Sequence, residues 1–239
     1  MLARNVMTPM PQAPTRAPHA GQRPYCLYTP AHKGNFAGDF ANPARLFDLV
    51  VNDWTGSNKF SAAAQQAEFL FAETGHKWPT LARLLPQLPP YRYYAFIDED
   101  IDVSVETLNK LFQVGELLNL TLYQPALTAR SHYSHEFSRA QAASFVRPTT
   151  FVEIMVPFFS HDALMKCAPT FTLSELGWGL EYLWNEILKS EGMAIIDRLT
   201  VTHIRPVQSN RWKNQRGETA EQECARMLAE WQASKQSLL

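Results

Sequence analysis

The chain has 239 residues, 46% of them apolar and 19% charged, with a formal net charge of -1. That is enough for one domain, or one and a half, around a real core, and the charge balance excludes a basic nucleic-acid binder. No apolar run nears the roughly 20 residues of a membrane-spanning helix. The N-terminus carries charges without an apolar signal core. Cys26, Cys167 and Cys224 have no metal-binding spacing and read as free thiols of a reducing compartment. The expectation is a soluble cytoplasmic protein, with peripheral attachment to the inner membrane left open.

Residues 1–22 place Pro9, Pro11, Pro14 and Pro18 among small and polar residues and predict a flexible arm. A first strand is predicted over 25–28, ending at Thr29-Pro30. Residues 45–52 (RLFDLVVN) are near-continuously apolar, like a parallel strand covered on both faces. That strand ends at Asn52-Asp53-Trp54, before the turn-prone Thr55-Gly56-Ser57. Residues 60–74 predict a helix. Trp78-Pro79 predicts the start of another, with Pro at the first position and Leu81, Leu84, Leu85 and Leu88 as its apolar stripe.

Residues 93–102 (YYAFIDEDID) are the centre of the chain. An aromatic and β-branched run predicts a buried strand, and it ends in carboxylates. On a strand Asp98 and Asp100 would share one side and Glu99 would take the other. Like charges this close repel, and a divalent cation with a preference for hard oxygen ligands relieves them. Such strand ends open onto the ligand crevice of α/β sheets. The alternative is a solvated turn that caps the next helix.

Ser104 predicts an N-cap for a helix to about Leu118, with Glu106 in the first turn. Residues 121–125 predict a short strand, and 128–148 a long loop of the kind that carries function. Residues 151–159 (FVEIMVPFF) predict a strand, with Ser160 capping a short helix. Gly177-Trp178-Gly179 opens a helix to about Ser190. Short strands are predicted at 193–197 and 199–204, and an amphipathic helix at 218–236 with Cys224, Met227, Leu228 and Trp231 on one side. The βα alternation predicts an α/β fold, one sheet with helices on its faces.

Four further places could carry chemistry. Asp53 ends a strand as the acidic run does, and is either a second wall of the crevice or a turn aspartate. Glu153 interrupts an apolar strand, where glutamates are rarely buried unpaired; it either faces a site, lies on an open face or pairs with Arg147. Trp178 between two glycines either offers an indole face to a sugar or belongs to the core, and Glu181 follows at the helix start. His203 precedes Arg205-Pro206 and is either structural or a metal ligand.

The segments FIDEDI (96–101), YQPAL (123–127), FVEIMVPFFS (151–160) with Asp162-Ala163, GWGLE (177–181), and Ile196-Asp197 through His203 occur in this order. Together they resemble a domain-of-unknown-function family of plants and bacteria that looks like the metal-dependent GT-A glycosyltransferases. The resemblance implies a single GT-A-like catalytic domain at 23–207, with a mixed, mostly parallel sheet, between the arm at 1–22 and a C-terminal helical extension at 208–239. It implies transfer of a sugar from a nucleotide-sugar donor to an acceptor hydroxyl of a carbohydrate or small molecule. It implies Mn²⁺ or Mg²⁺ held by Asp98, Asp100 and His203. Donor contacts fall on Thr29, Asp53, Asp98 and Glu99. Acceptor or sugar contacts fall on Gln124, Glu153, Trp178 and Gly179, and Glu181 is the base. GWGLE also resembles the Trp-Gly-Gly-Glu-Asp run of galactosyltransferases, departing from it at Leu180 and Tyr182. Two alternatives stand beside this: another metal-dependent nucleotide enzyme (a nucleotidyltransferase or phosphohydrolase), and a non-catalytic sugar or nucleotide binder. No Walker-type loop is present. Nucleic acid is not an expected partner, and an oligomer is possible, with the C-terminal amphipathic helix as its interface or as an edge cover.

Overall fold

A computed structural model of the chain describes residues 15–16, 20–207 and 212–236. Among the described residues one mixed sheet carries ten strands: β1 (Thr15–Arg16), β2 (Tyr25–Ala31), β3 (Phe47–Asp53), β4 (Phe69–Phe71), β5 (Tyr93–Phe96), β6 (Ile101–Asp102), β7 (Leu122–Leu127), β8 (Val146–Pro148), β9 (Phe158–Ser160) and β10 (Met193–His203). Their order is β1-β4-β3-β2-β5-β9-β7-β10-β6, with β8 also on β10. The parallel block β4-β3-β2-β5 continues in direction through β7 and β10, because β9 runs antiparallel to both β5 and β7. The carboxyl ends of β2, β3, β5 and β10 therefore meet on one edge.

Helices cover both faces: α1 (Lys77–Leu84), α2 (Val105–Leu117), α3 (His161–Cys167), α4 (Leu180–Leu188) and α5 (Ala220–Gln236). Strand parity sorts the core. Tyr25, Leu27, Phe47, Leu49, Val51, Tyr93 and Ala95 pack with Leu108, Leu111 and Phe112 of α2. The intervening Cys26, Tyr28, Val50, Tyr94 and Phe96 pack with Trp78, Leu164, Leu183, Trp184 and Met227 of the other helices. Trp78 is the hub of that second layer. Its ring lies 4.7 Å from Phe171, 5.0 Å from Trp184 and 5.9 Å from Phe96, all edge-on. Truncating such a ring costs about 3–5 kcal/mol.

The two serine caps form as expected: Ser104 accepts from the Thr107 amide and Ser160 from the Ala163 amide. Several elements differ. Residues 60–74 are not a helix but a 3-10 turn (Ala64–Gln66) followed by β4; the alanines read as helix formers, yet Phe69 and Phe71 gain more by burial beside β3. Pro79 is the third residue of α1, not its first. Residues 151–157 form an irregular turn, and only Phe158–Ser160 is strand. The two strands expected at 193–204 are one, β10, with a register shift between Ile196 and Thr200. The arm expected at 1–22 falls mostly outside the described residues, and β1 within it pairs antiparallel with β4. Among the described residues no helix is long and apolar enough to cross a membrane.

Candidate active site at the strand mouth

The acidic run is not strand. β5 ends at Phe96, and Asp98-Glu99-Asp100 turn back toward β6, with the Ile101 amide on the Asp98 carbonyl. Their directions are set by what holds the turn, not by strand alternation. The pairing of β6 with β10 puts Ile101 opposite His203 and Asp102 opposite Thr202. That register carries the His203 ring to the acids: Nε2 lies 3.4 Å from Asp100 Oδ2. The other ring nitrogen, Nδ1, lies 3.0 Å from the His132 carbonyl. Only a protonated Nδ1 can donate there, which leaves Nε2 turned toward the acid. Burial opposes both charges, but the pairing prevails: Asp100 is held below, and His203 above, the ordinary value.

Each acid of the run has its own cation. Lys77 spends its ammonium on Asp98 Oδ1 (2.7 Å) and on the Phe96 and Ile154 carbonyls (2.8 and 2.7 Å). Burial pulls Lys77 down and Asp98 up in pKa, and each opposes the other's shift. Glu99 accepts from Arg205 at 2.9 Å, from the Trp54 indole at 3.3 Å and from the His32 amide. It clasps three segments around the mouth.

Two cavities adjoin across this turn. One of about 440 Å³ runs along the carboxyl ends of β2 and β3 and is lined by Tyr28, Pro30, Asn52, Trp54, Lys77 and Glu99. The other, about 570 Å³, is lined by Phe151, Glu153, Glu181, Tyr182, His203 and His135. Asp98, Asp100, Ile154, Trp178, Arg205 and Trp212 line both.

Glu181 opens α4 and is buried, with Oε2 accepting from the Gly179 amide at 2.9 Å. Desolvation pushes its pKa up to about 8, with the neighbouring Glu153 adding to the rise. Glu153 is pushed up to about 7 by the same cause. Its amide donates to Gln124 Oε1 at 2.6 Å, and its own Oε1 is buried without a hydrogen-bond partner. Arg147, a partner considered for it, instead pairs with Asp197 at 3.1 Å.

The glycines beside Trp178 are there for contact as well as conformation. Gly177 has φ +91, and a Cβ on it would meet the Trp78 ring at 2.6 Å; Gly179 has φ +94, and a Cβ there would meet Cys224 Sγ and Met227 Cε at 2.7 Å. Glu223 of α5 accepts from Ser174 Oγ and from the Glu175 and Leu176 amides. The C-terminal helix thus clamps the segment that presents Trp178 and Glu181.

Not every expected site residue faces the cavities. Thr29 and Asp53 are fully buried and line neither. Their neighbours Tyr28, Pro30, Asn52 and Trp54 do, because parity turns Thr29 and Asp53 to the α2 side of the sheet. Asp53 instead organises the adjoining loops, accepting from Thr55, Ser57 and the Lys33 and Lys59 amides. Burial works against its charge, but these bonds outweigh it and hold the carboxyl at about 2. Gln124 is also fully buried and outside both cavities; it reaches the site through the Glu153 amide. Lys77, Trp54, Phe151 and Trp212 were not anticipated. Nothing in their local sequence marks them, since their roles depend on contacts across the sheet.

Among the described residues no three His, Cys, Asp or Glu side chains converge as a ready-made metal site. Asp100 and His203 are poised together, while Asp98 is engaged by Lys77.

No family model and no curated protein matches the chain, so the family resemblance rests on the quoted motifs. Among solved structures, the chain is similar to S. aureus TarS 1–349 in complex with UDP-GlcNAc, at 10% identity and a TM-score of 0.47, over 78% of this chain and 62% of that one. The complex of the same fragment with UDP gives 10% identity and a TM-score of 0.47, over 74% and 59%. The chain spans about three fifths of the length of those structures, and a likeness this distant carries no function by itself.

Proposed function

We propose that the chain is a GT-A-like glycosyltransferase that moves a sugar from a nucleotide-sugar to an acceptor hydroxyl. The observation that carries this reading is the junction of the two cavities. A long cleft at the carboxyl ends of parallel strands meets a second chamber at an Asp–His pair, and that chamber holds a buried carboxyl of raised pKa. The first chamber, walled by Tyr28, Asn52 and Trp54, suits a nucleoside diphosphate; the second suits an acceptor.

The residues at the junction fit a divalent cation in one specific way. Mg²⁺ and Mn²⁺ at such sites keep several waters and take one or two protein ligands plus phosphate oxygens. Asp100 Oδ2 and His203 Nε2 would be those ligands, with the tautomer of His203 set by the His132 carbonyl. Asp98, held by Lys77, orients the turn and borders the sugar. A bound cation would supply Lewis-acid stabilisation of the diphosphate leaving group. In the transfer, the acceptor oxygen bonds to the anomeric carbon, the bond from that carbon to phosphate oxygen breaks, and the acceptor proton passes to ionised Glu181. A carboxyl near 8 is a stronger base than an exposed glutamate, and its ionised fraction grows through neutral pH. Trp178, between the chambers, offers its ring to the transferred sugar.

The test is thermal stabilisation by UDP, GDP, CDP and dTDP with and without Mn²⁺. A nucleotide at 100 times its dissociation constant stabilises by about 2.7 kcal/mol. The expected result is a metal-dependent rise with at least one of the four. No rise with any of them removes both this reading and that of another metal-dependent nucleotide enzyme. Glu181→Gln separates transfer from mere binding: it should keep the nucleotide-induced rise and lose turnover.

A further inference from the structure

The acids around the two cavities are not equivalent. Asp98 has Lys77, Asp100 has His203 and Glu99 has Arg205. Glu153 and Glu181 line the same chamber, and among the described residues neither has a lysine or arginine partner. The two are close enough for Glu153 to raise the proton affinity of Glu181. Glu181 has one oxygen occupied by the Gly179 amide. Glu153 is 5% exposed, and its Oε1 is buried with no partner. Leaving a buried carboxyl oxygen unpaired costs stability unless a ligand supplies the missing donor.

The remaining wall is aromatic. The Phe151 ring lies 5.2 Å from Tyr182, 4.9 Å from His135 and 5.6 Å from Phe137. Tyr182 is 51% exposed at the rim. Rings of this kind pack against the carbon face of a pyranose and against cationic groups. Among the described residues Arg205 is the arginine of the cavity wall, and it pairs with Glu99. An anionic ligand would meet two acids that, among the described residues, have no lysine or arginine partner. A neutral hydroxyl could donate to Glu153 Oε1, but it would bring no positive charge to favour the ionised form that burial opposes. A protonated amine does both.

We propose that the second cavity selects an acceptor with adjacent amino and hydroxyl groups, such as a 2-amino sugar, with the ammonium on Glu153 and the neighbouring hydroxyl presented to Glu181. The inference rests on the reading of this chamber as the acceptor site and names the chemistry of that acceptor. Phe151 and Tyr182 hold the ring, and Glu153 is the residue that decides selectivity.

Calorimetric titration of the whole chain tests this with glucosamine, N-acetylglucosamine and glucose as probes, at pH 7.5 with a chelator to exclude metal. The expected result is binding of glucosamine at least tenfold tighter than either neutral sugar. Repeating the titration in buffers of different ionisation heat should show protons released on binding, because the ammonium favours both carboxylates in their charged form. Glu153→Gln should collapse the preference to within about twofold of unity (a ratio of one being zero differential binding energy). Glu181→Gln should retain a preference while losing transfer. Equal or tighter binding of the neutral sugars, no binding of glucosamine, or a preference unchanged in Glu153→Gln would overturn the proposal. If Glu153→Gln does not fold, the three-sugar comparison on the unaltered chain decides alone. Failure here with metal-dependent UDP binding intact would spare the glycosyltransferase reading; loss of nucleotide binding would remove that reading whatever the sugars do.

Discussion

At the amino ends of the parallel strands, Asp48 and Glu68 are fully buried and every carboxylate oxygen is occupied. Asp48 takes Arg23, the Tyr91 hydroxyl and the Gly21 amide; Glu68 takes Arg23, Arg45 and the Leu49 amide. Burial alone would raise the Glu68 carboxyl, but the amide and the two guanidiniums reverse this and hold it low. At the carboxyl ends of the same strands, Glu153 and Glu181 are buried almost as deeply, yet their carboxyls rise to about 7 and about 8. Glutamates buried at both ends shift in opposite directions because Glu68 has two guanidiniums and an amide, while Glu153 and Glu181, among the described residues, face a cavity without a lysine or arginine partner. Satisfied buried charge is architecture, whereas unsatisfied buried charge at a cleft marks a site.

If that contrast is right, stability and binding should respond oppositely at the two ends. The largest expected loss of stability is at Glu68→Gln. It removes the negative charge that faces Arg23 and Arg45, so urea unfolding should show a cost of about 3 kcal/mol or more, with nucleotide binding by the folded fraction unchanged. Lys77→Met is intermediate: it leaves Asp98 without its cation, but 33% of that side chain is exposed, so about 2 kcal/mol is expected in the same assay, less than for a fully buried pair.

Glu181→Gln should behave in the opposite sense. The folded-state pKa of about 8 lies above the ordinary value of 4.5, so the folded chain keeps a proton that the unfolded chain releases. Stability from this group is therefore full below pH 4.5 and lost as pH rises toward 8, by at most about 1.4 kcal/mol per pH unit. The glutamine variant should flatten that slope and be the more stable protein at pH 8. A slope unchanged by the substitution would show that Glu181 does not carry the shift. The smallest stability effect belongs to Asp100→Asn. Its partner His203 can shed its proton, so melting should change by under about 1 kcal/mol while metal-dependent stabilisation by nucleotide disappears. If the chain is the transferase proposed above, transfer by the unaltered chain should rise with pH toward 8 as Glu181 ionises.

The sequence carried most of the fold through local signals: apolar runs for β2, β3 and β5, serine caps for α2 and α3, and a glycine-flanked start for α4. Its failures share one cause. Phe69–Phe71 looked helical because its value as a strand lies in β3 beside it. Residues 151–157 looked like strand because their apolar side chains are buried in an irregular turn instead. For the site, Asp98, Asp100, His203, Trp178, Glu153 and Glu181 stood out by residue type, and the structure sets them around one pair of cavities. Thr29 and Asp53 lie one residue away from side chains that line the first cavity; parity cannot be read before it is known which sheet face bears the cleft. Lys77 gave no sign, because a lysine at a helix start becomes the internal cation of an acidic turn only through the packing of α1 against β5.

The most direct measurement is a crystal structure of the chain with Mn²⁺ and UDP, with the ion located by its anomalous scattering. The account predicts an ion at bonding distance from Asp100 Oδ2 and His203 Nε2, with the diphosphate on it, the uridine in the chamber walled by Tyr28, Asn52 and Trp54, and Lys77 still on Asp98. An ion bound elsewhere, or a nucleotide seated against Glu153 and Glu181 instead, would contradict it.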